Sequence, residues 1–128
     1  MSLATIRTAL AEAVDNTGLR SYDYLPGSPA LPCAVVGWPT SFEPHAGFGD
    51  VPNMEIPVMI LVPFQGNRSA DANLEQYLTT SGSLSVVAAI ETASSAYRVP
   101  VVRDFGVITV GDAGQLALAC TVIVQVLA

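Results

Sequence analysis

The sequence predicts an α+β domain: a mostly antiparallel sheet of about five strands with helices packed on one face, in the order α-β-β-β-α-α-β-β. Three observations predict it. Apolar residues recur at helical spacing near the start and twice between residues 69 and 94. They alternate at period two through Met54–Phe64 and again from Gln115 onward. A Gly111-Asp112-Ala113-Gly114 turn joins the last two long strands, so the chain from Val99 to Val126 reads as one hairpin.

Each element has its own signal. Ser2 is placed to cap a helix to about Asn16, with Leu3, Ile6, Leu10, Ala13 and Val14 on one face and Gly18 as the stop. Arg7 and Glu12 fall off that stripe. Leu19 to Leu25 suits a short strand with Tyr22 and Tyr24 on one side. A proline-rich loop over 26–32 follows, then a strand from Cys33 to Trp38 stopped by Pro39. Thr40 to Asn53 is the least regular stretch; a loop this long that keeps Phe42 and Phe48 suits either contact with a partner or a loop tucked over its own phenylalanines. Along Met54–Phe64 the even positions are wholly apolar, while Pro57 and Pro63 share the other parity. Both prolines delete donors on one side, which marks an edge strand or a blocked one. Gln65 to Arg68 is a turn. Ser69 then caps a helix to about Thr80, with Asp71 in its first turn and Leu74, Tyr77 and Leu78 inward. After Gly82, Ser83 or Ser85 starts a helix from Val86 to about Ser94. Arg98 to Val110 is a strand, with a bulge expected near Gly106.

The final strand is the most informative. One face carries Leu116, Leu118, Cys120, Val122, Val124 and Val126; the other carries Gln115, Ala117, Ala119, Thr121, Ile123, Gln125 and Leu127. A solvent-facing side normally shows polar alternation, and this second face does not. Both faces are therefore expected to be covered, one by the chain's own helices and part of the other by a neighbouring subunit, or both from within the chain as for a central strand packed by its own helices.

Composition points the same way. The chain has 128 residues, enough for one domain that folds without disulfide or metal. It is 51% hydrophobic and only 12% charged, against about 25% in ordinary soluble domains. Such a surface is expected to include an interface. The net charge is −6, with no lysine, and the five arginines (Arg7, Arg20, Arg68, Arg98, Arg103) are scattered. That argues against gripping DNA, which needs clustered cations, and leaves open a place beside DNA without adhesion. Cys33 and Cys120 are expected to be free thiols in a reducing cytoplasm, a disulfide between them being the lesser alternative. No signal-peptide pattern opens the chain, and its longest apolar runs fall short of the ~20 residues that span a membrane as a helix.

No motif carries chemistry. His45 stands alone, without the second His, Cys-x-x-Cys or carboxylate pair of a metal site. A Cys-His pair from His45 with either cysteine lacks anything to lower the thiol pKa. Gly47-Phe48-Gly49 lacks the third glycine and the helix of a dinucleotide site, and Gly66-Asn67-Arg68-Ser69 lacks the lysine of a phosphate loop. Asp104 and Asp112 suit turns better than acid-base work. The expectation is no catalytic, cofactor-binding or metal-binding residue.

The stretches MSLATIRTALAEAV, PCAVVGWP, IPVMILVPF, ANLEQYL, SVVAAIE and RDFGVITVGDAGQLALACTVIVQV, taken together, resemble the tail-terminator proteins of long-tailed bacteriophages, in the versions found in phages of actinobacteria. They cover most of the chain, and the likeness is one of pattern and segment order. It implies a homohexameric ring that caps the completed tail tube, halts polymerisation of the tube protein and meets the head's connector. DNA would pass through the lumen without specific binding. The protein would sit at the head-proximal end of the virion tail, assembled in the bacterial cytoplasm with no membrane involved. The loop from Thr40 to Asn53 has no counterpart in the resemblance. From its residues, Phe42, His45, Phe48 and Asp50 are expected at a subunit or tube contact, together with Thr121 and Ile123 of the last strand. A head-tail stopper or adaptor ring is the nearest rival. A small oligomeric α+β enzyme or ligand-binding domain is the rival from another class, and would require a pocket with converging polar groups.

Overall fold

A computed structural model describes residues 3–24, 27, 30–43, 53–64, 69–79, 81–112 and 114–126, with 42, 43 and 69 described by backbone alone. Helix α1 (Leu3–Asp15) turns Ile6, Leu10, Ala13 and Val14 inward, as its spacing predicts. It unwinds through Thr17, whose hydroxyl donates to the Val14 carbonyl, and ends at Gly18 with φ +87°, a conformation glycine adopts without strain. Strand β1 (Arg20–Tyr22) runs parallel to β2 (Cys33–Val36). Strand β3 (Ser41–Glu43) is a short addition inside the stretch read as irregular, and pairs antiparallel with β4 (Asn53–Pro63).

Helix α2 (Ser69–Glu75) is shorter than its pattern predicts; Tyr77 and Leu78 continue it only as hydrogen-bonded turns onto Leu74 and Glu75. Helix α3 (Val86–Ala93) starts at Ser85, whose side chain accepts from the Ala88 amide at 3.0 Å. Strands β5 (Tyr97–Val110) and β6 (Gln115–Val126) close the chain as a hairpin across positive-φ residues Gly111 and Gly114.

The sheet runs β1-β2-β4-β6-β5, with β3 also on β4; the class is α+β, mostly antiparallel, with the predicted elements in their predicted order. The helices share one face. There Ile6, Leu10 and Val14 from α1, and Val86 and Ile90 from α3, meet the even positions of β4 and β6 in one core. Burial of each such aliphatic side chain contributes about 1.5–3 kcal/mol. The opposite face has a smaller cluster of Cys33, Val35, Leu61, Val110, Ala117 and Ala119, with Tyr22 and Leu31 packed against it. The final strand is thus covered on both faces largely from within the chain.

The prolines of β4 correct one expectation. β4 is an interior strand, paired with β6 from Met54 to Pro63 and with β2 and β3 on its other side. Both prolines turn their missing donors towards β2 and β3. Pro57 sits where the partner changes from β2 to β3, and its carbonyl accepts from Gly37 at 2.8 Å. Pro63 lies beyond Leu61, the last β4 residue paired with β2. The sheet therefore leaves gaps where the donors are missing, and the prolines block no outer edge.

Candidate interaction surface

β5 ends the strand order, and its outer side pairs with no other strand among the described residues. Its first half is held down. The Glu91 carboxylate of α3 accepts from the Val99 amide at 3.2 Å, within a bulge between Arg98 and Val101. A second bulge lies between Arg103 and Gly106, where one is predicted; in it Asp104 takes φ +60°, which aspartate tolerates better than most residues. Beyond this point α3 no longer covers the strand. Phe105 is 58% exposed, Val107 46% and, across the hairpin, Leu116 49%. The stretch from Gly106 to Val110 has neither charge nor proline. It is an unprotected apolar edge of the kind natural sheets usually cover or charge.

A groove of about 300 Å³ opens beside this edge, between α2 and the hairpin. Leu74, Leu78, Phe105 and Leu118 make its floor and walls, and Asp71 and Glu75 stand on its rim. The lining is apolar and the rim acidic.

The sheet carries a different feature towards its other edge. Trp38, 70% exposed, projects where the chain crosses from β2 to β3. The Arg7 guanidinium lies 4.8 Å from the ring centroid. Arg7 also donates to the carbonyls of Gly37 (3.0 Å), Val36 (2.9 Å) and Asp23. These partners fix the guanidinium without neutralising its charge. Next to Asp23, Tyr24 is exposed, and its ring meets Tyr22 edge-on at 6.0 Å. An exposed tryptophan held by a cation is a rigid apolar anchor of the sort that dominates protein interfaces.

The predicted site residues fall differently. His45, Phe48 and Asp50 lie outside the described residues, and Phe42 is placed in β3 by its backbone alone. Thr121 is half-buried on the face away from the helices, paired with Met59 and Arg103. Ile123 is 2% exposed between Pro57 and Val101, so it serves the chain's own packing and offers no surface. Trp38, Phe105 and the α2 groove were not singled out from the sequence. The uncharged, proline-free run Gly106–Val110 was the available signal for the groove side.

Both cysteines are buried. Burial, partly offset by the charge of Arg20, pushes the Cys33 thiol up to about 11; burial pushes Cys120 up to about 12, against a backbone hydrogen bond at Ile60. They face opposite ways. Cys33 registers with Leu61 and Leu61 with Ala119, whereas Cys120 is the next residue and points to the helices. No disulfide can join them through the sheet. Among the described residues no group of three or more His, Cys, Asp or Glu side chains is arranged to hold a metal ion. No helix there is long and apolar enough to cross a membrane. No family model matches the chain, and no curated protein matches it either.

Proposed function

We propose that this chain is a structural protein of a long-tailed phage, whose copies close into a hexameric ring at the head-proximal end of the tail tube. The ring ends polymerisation of the tube protein, presents a surface to the head's connector and lets DNA pass through its lumen. The reading assigns the chain no catalysis and no cofactor.

One observation carries it: two unlike exposed apolar features lie towards opposite edges of the sheet, Phe105, Val107 and Leu116 at the β5 edge and Trp38 at the crossing from β2 to β3. A self-complementary dimer contact would cover one kind of feature and leave the other in water. A head-to-tail contact covers both in every copy, and closes into a ring when the rotation allows. The segment pattern shared with tail terminators supplies the setting. The net charge of −6 suits a channel through which a polyanion moves without sticking. The β4 prolines lend no support, because they lie inside the sheet.

Electron microscopy of the purified protein, alone and mixed with isolated tail tubes, tests the reading. Rings, or densities capping one tube end together with arrested tube growth, are expected. A monomer that neither binds tubes nor stops their growth would sink it, and binding to filled heads but not to tails would favour the stopper or adaptor role.

A further inference from the structure

The inference drawn here rests on the ring reading and concerns which surfaces meet. We propose that Trp38 of one copy seats in the α2-hairpin groove of the next, against Leu74, Leu78 and Phe105, with Arg7 brought beside Asp71 and Glu75.

Three features of the molecule converge on this contact. The groove is apolar, open and bounded by a strand edge that lacks a partner among the described strands. Trp38 is a large exposed hydrophobe towards the opposite edge of the same sheet, so a head-to-tail neighbour can present it while its own groove stays free for the next copy. The charges also match in sign. Arg7 stacks on the tryptophan that would enter, and spends its hydrogen bonds on neutral carbonyls; the rim it would approach carries two carboxylates. Desolvating both sides strengthens that attraction relative to water. A tryptophan in an apolar pocket with a cation at its rim has the composition of an interface hot spot.

A crosslinking experiment decides it. Thr40→Cys, two residues from Trp38 and leaving that side chain in place, and Glu75→Cys are prepared separately. Both positions are exposed, so the fold is expected to persist, checked by circular dichroism. The native thiols stay silent because both are buried. Under a mild oxidant, the mixture of the two variants is expected to give several-fold more disulfide-linked dimer than either variant alone. Adding Leu78→Asp to the Glu75→Cys chain should abolish the excess. Strong linking of Thr40→Cys to itself would overturn the proposal in favour of a symmetric contact. Rings visible by microscopy without mixed crosslinks would overturn this interface and leave the ring standing. Absence of both crosslinks and rings, in solution and on tails, would remove the ring as well.

Discussion

Cys33 and Cys120 show how burial sets the chemistry of a single side chain. Each thiol is wholly excluded from water, and each is held well above its ordinary value of 9.0. Well below pH 9 both are protonated whether the chain is folded or not, so they add no pH dependence there. Above pH 9 the unfolded chain releases these protons first, while the folded chain keeps them to about 11 and 12. In that window the folded state binds more protons, so stability falls as pH rises. The Tyr97 hydroxyl, also raised by burial, acts in the same direction. Melting temperature is expected to drop between pH 9 and 11, and the double variant Cys33→Ala/Cys120→Ala should lose part of that slope. Thiol reagents at pH 8 should find no reactive thiol in the native protein and two per chain in denaturant. The burial of Cys120 was legible in the sequence from its place on an apolar face. The task of Arg7 was not. Its partners are backbone carbonyls 16 to 30 residues away, and a backbone acceptor leaves no mark on residue identity.

At the scale of elements, the hydroxyl of Ser85 joins two pieces of chain. It caps α3 by accepting from Ala88 and also donates to the Thr79 carbonyl, and the residue is 1% exposed. Ser85→Ala removes the cap and leaves the part-buried Thr79 carbonyl without its donor. A loss of about 1–2 kcal/mol is expected in urea unfolding, with little change in m-value, since the same surface unfolds. The alternation of β4 was readable from its residues, but not its place in the sheet. Proline reports which side of a strand lacks a donor; whether the neighbour leaves a gap there depends on chain elsewhere. Gly37 supplies that gap, with so little room that a Cβ would stand 3.0 Å from the Pro57 ring. The three residues of β3 carry too short a pattern to read, because their strand character comes from β4. The exposure of β5 was hidden for a related reason. Two bulges break its alternation, and apolar residues such as Val107 read as core until the short reach of α3 is known.

For the whole molecule, the deficit of charge proves more telling than the excess of apolar residues. Most of the hydrophobic side chains pack inside, while the hairpin edge and Trp38 do not. Placing lysines on the uncovered edge tests whether that surface drives association. The double variant Phe105→Lys/Val107→Lys removes partly exposed side chains, so stability should shift by only about 0.5 kcal/mol per site. If the parent associates as proposed, sedimentation velocity is expected to show a smaller species for the double variant. Unchanged association would assign the contact to another face. The sheet also keeps its two sulfur atoms apart, one on each side of a continuous layer of backbone. A shift from reducing to oxidising surroundings therefore neither makes nor breaks a covalent tie within the chain. Its stability stays indifferent to redox poise, and the chain can change surroundings without being restapled.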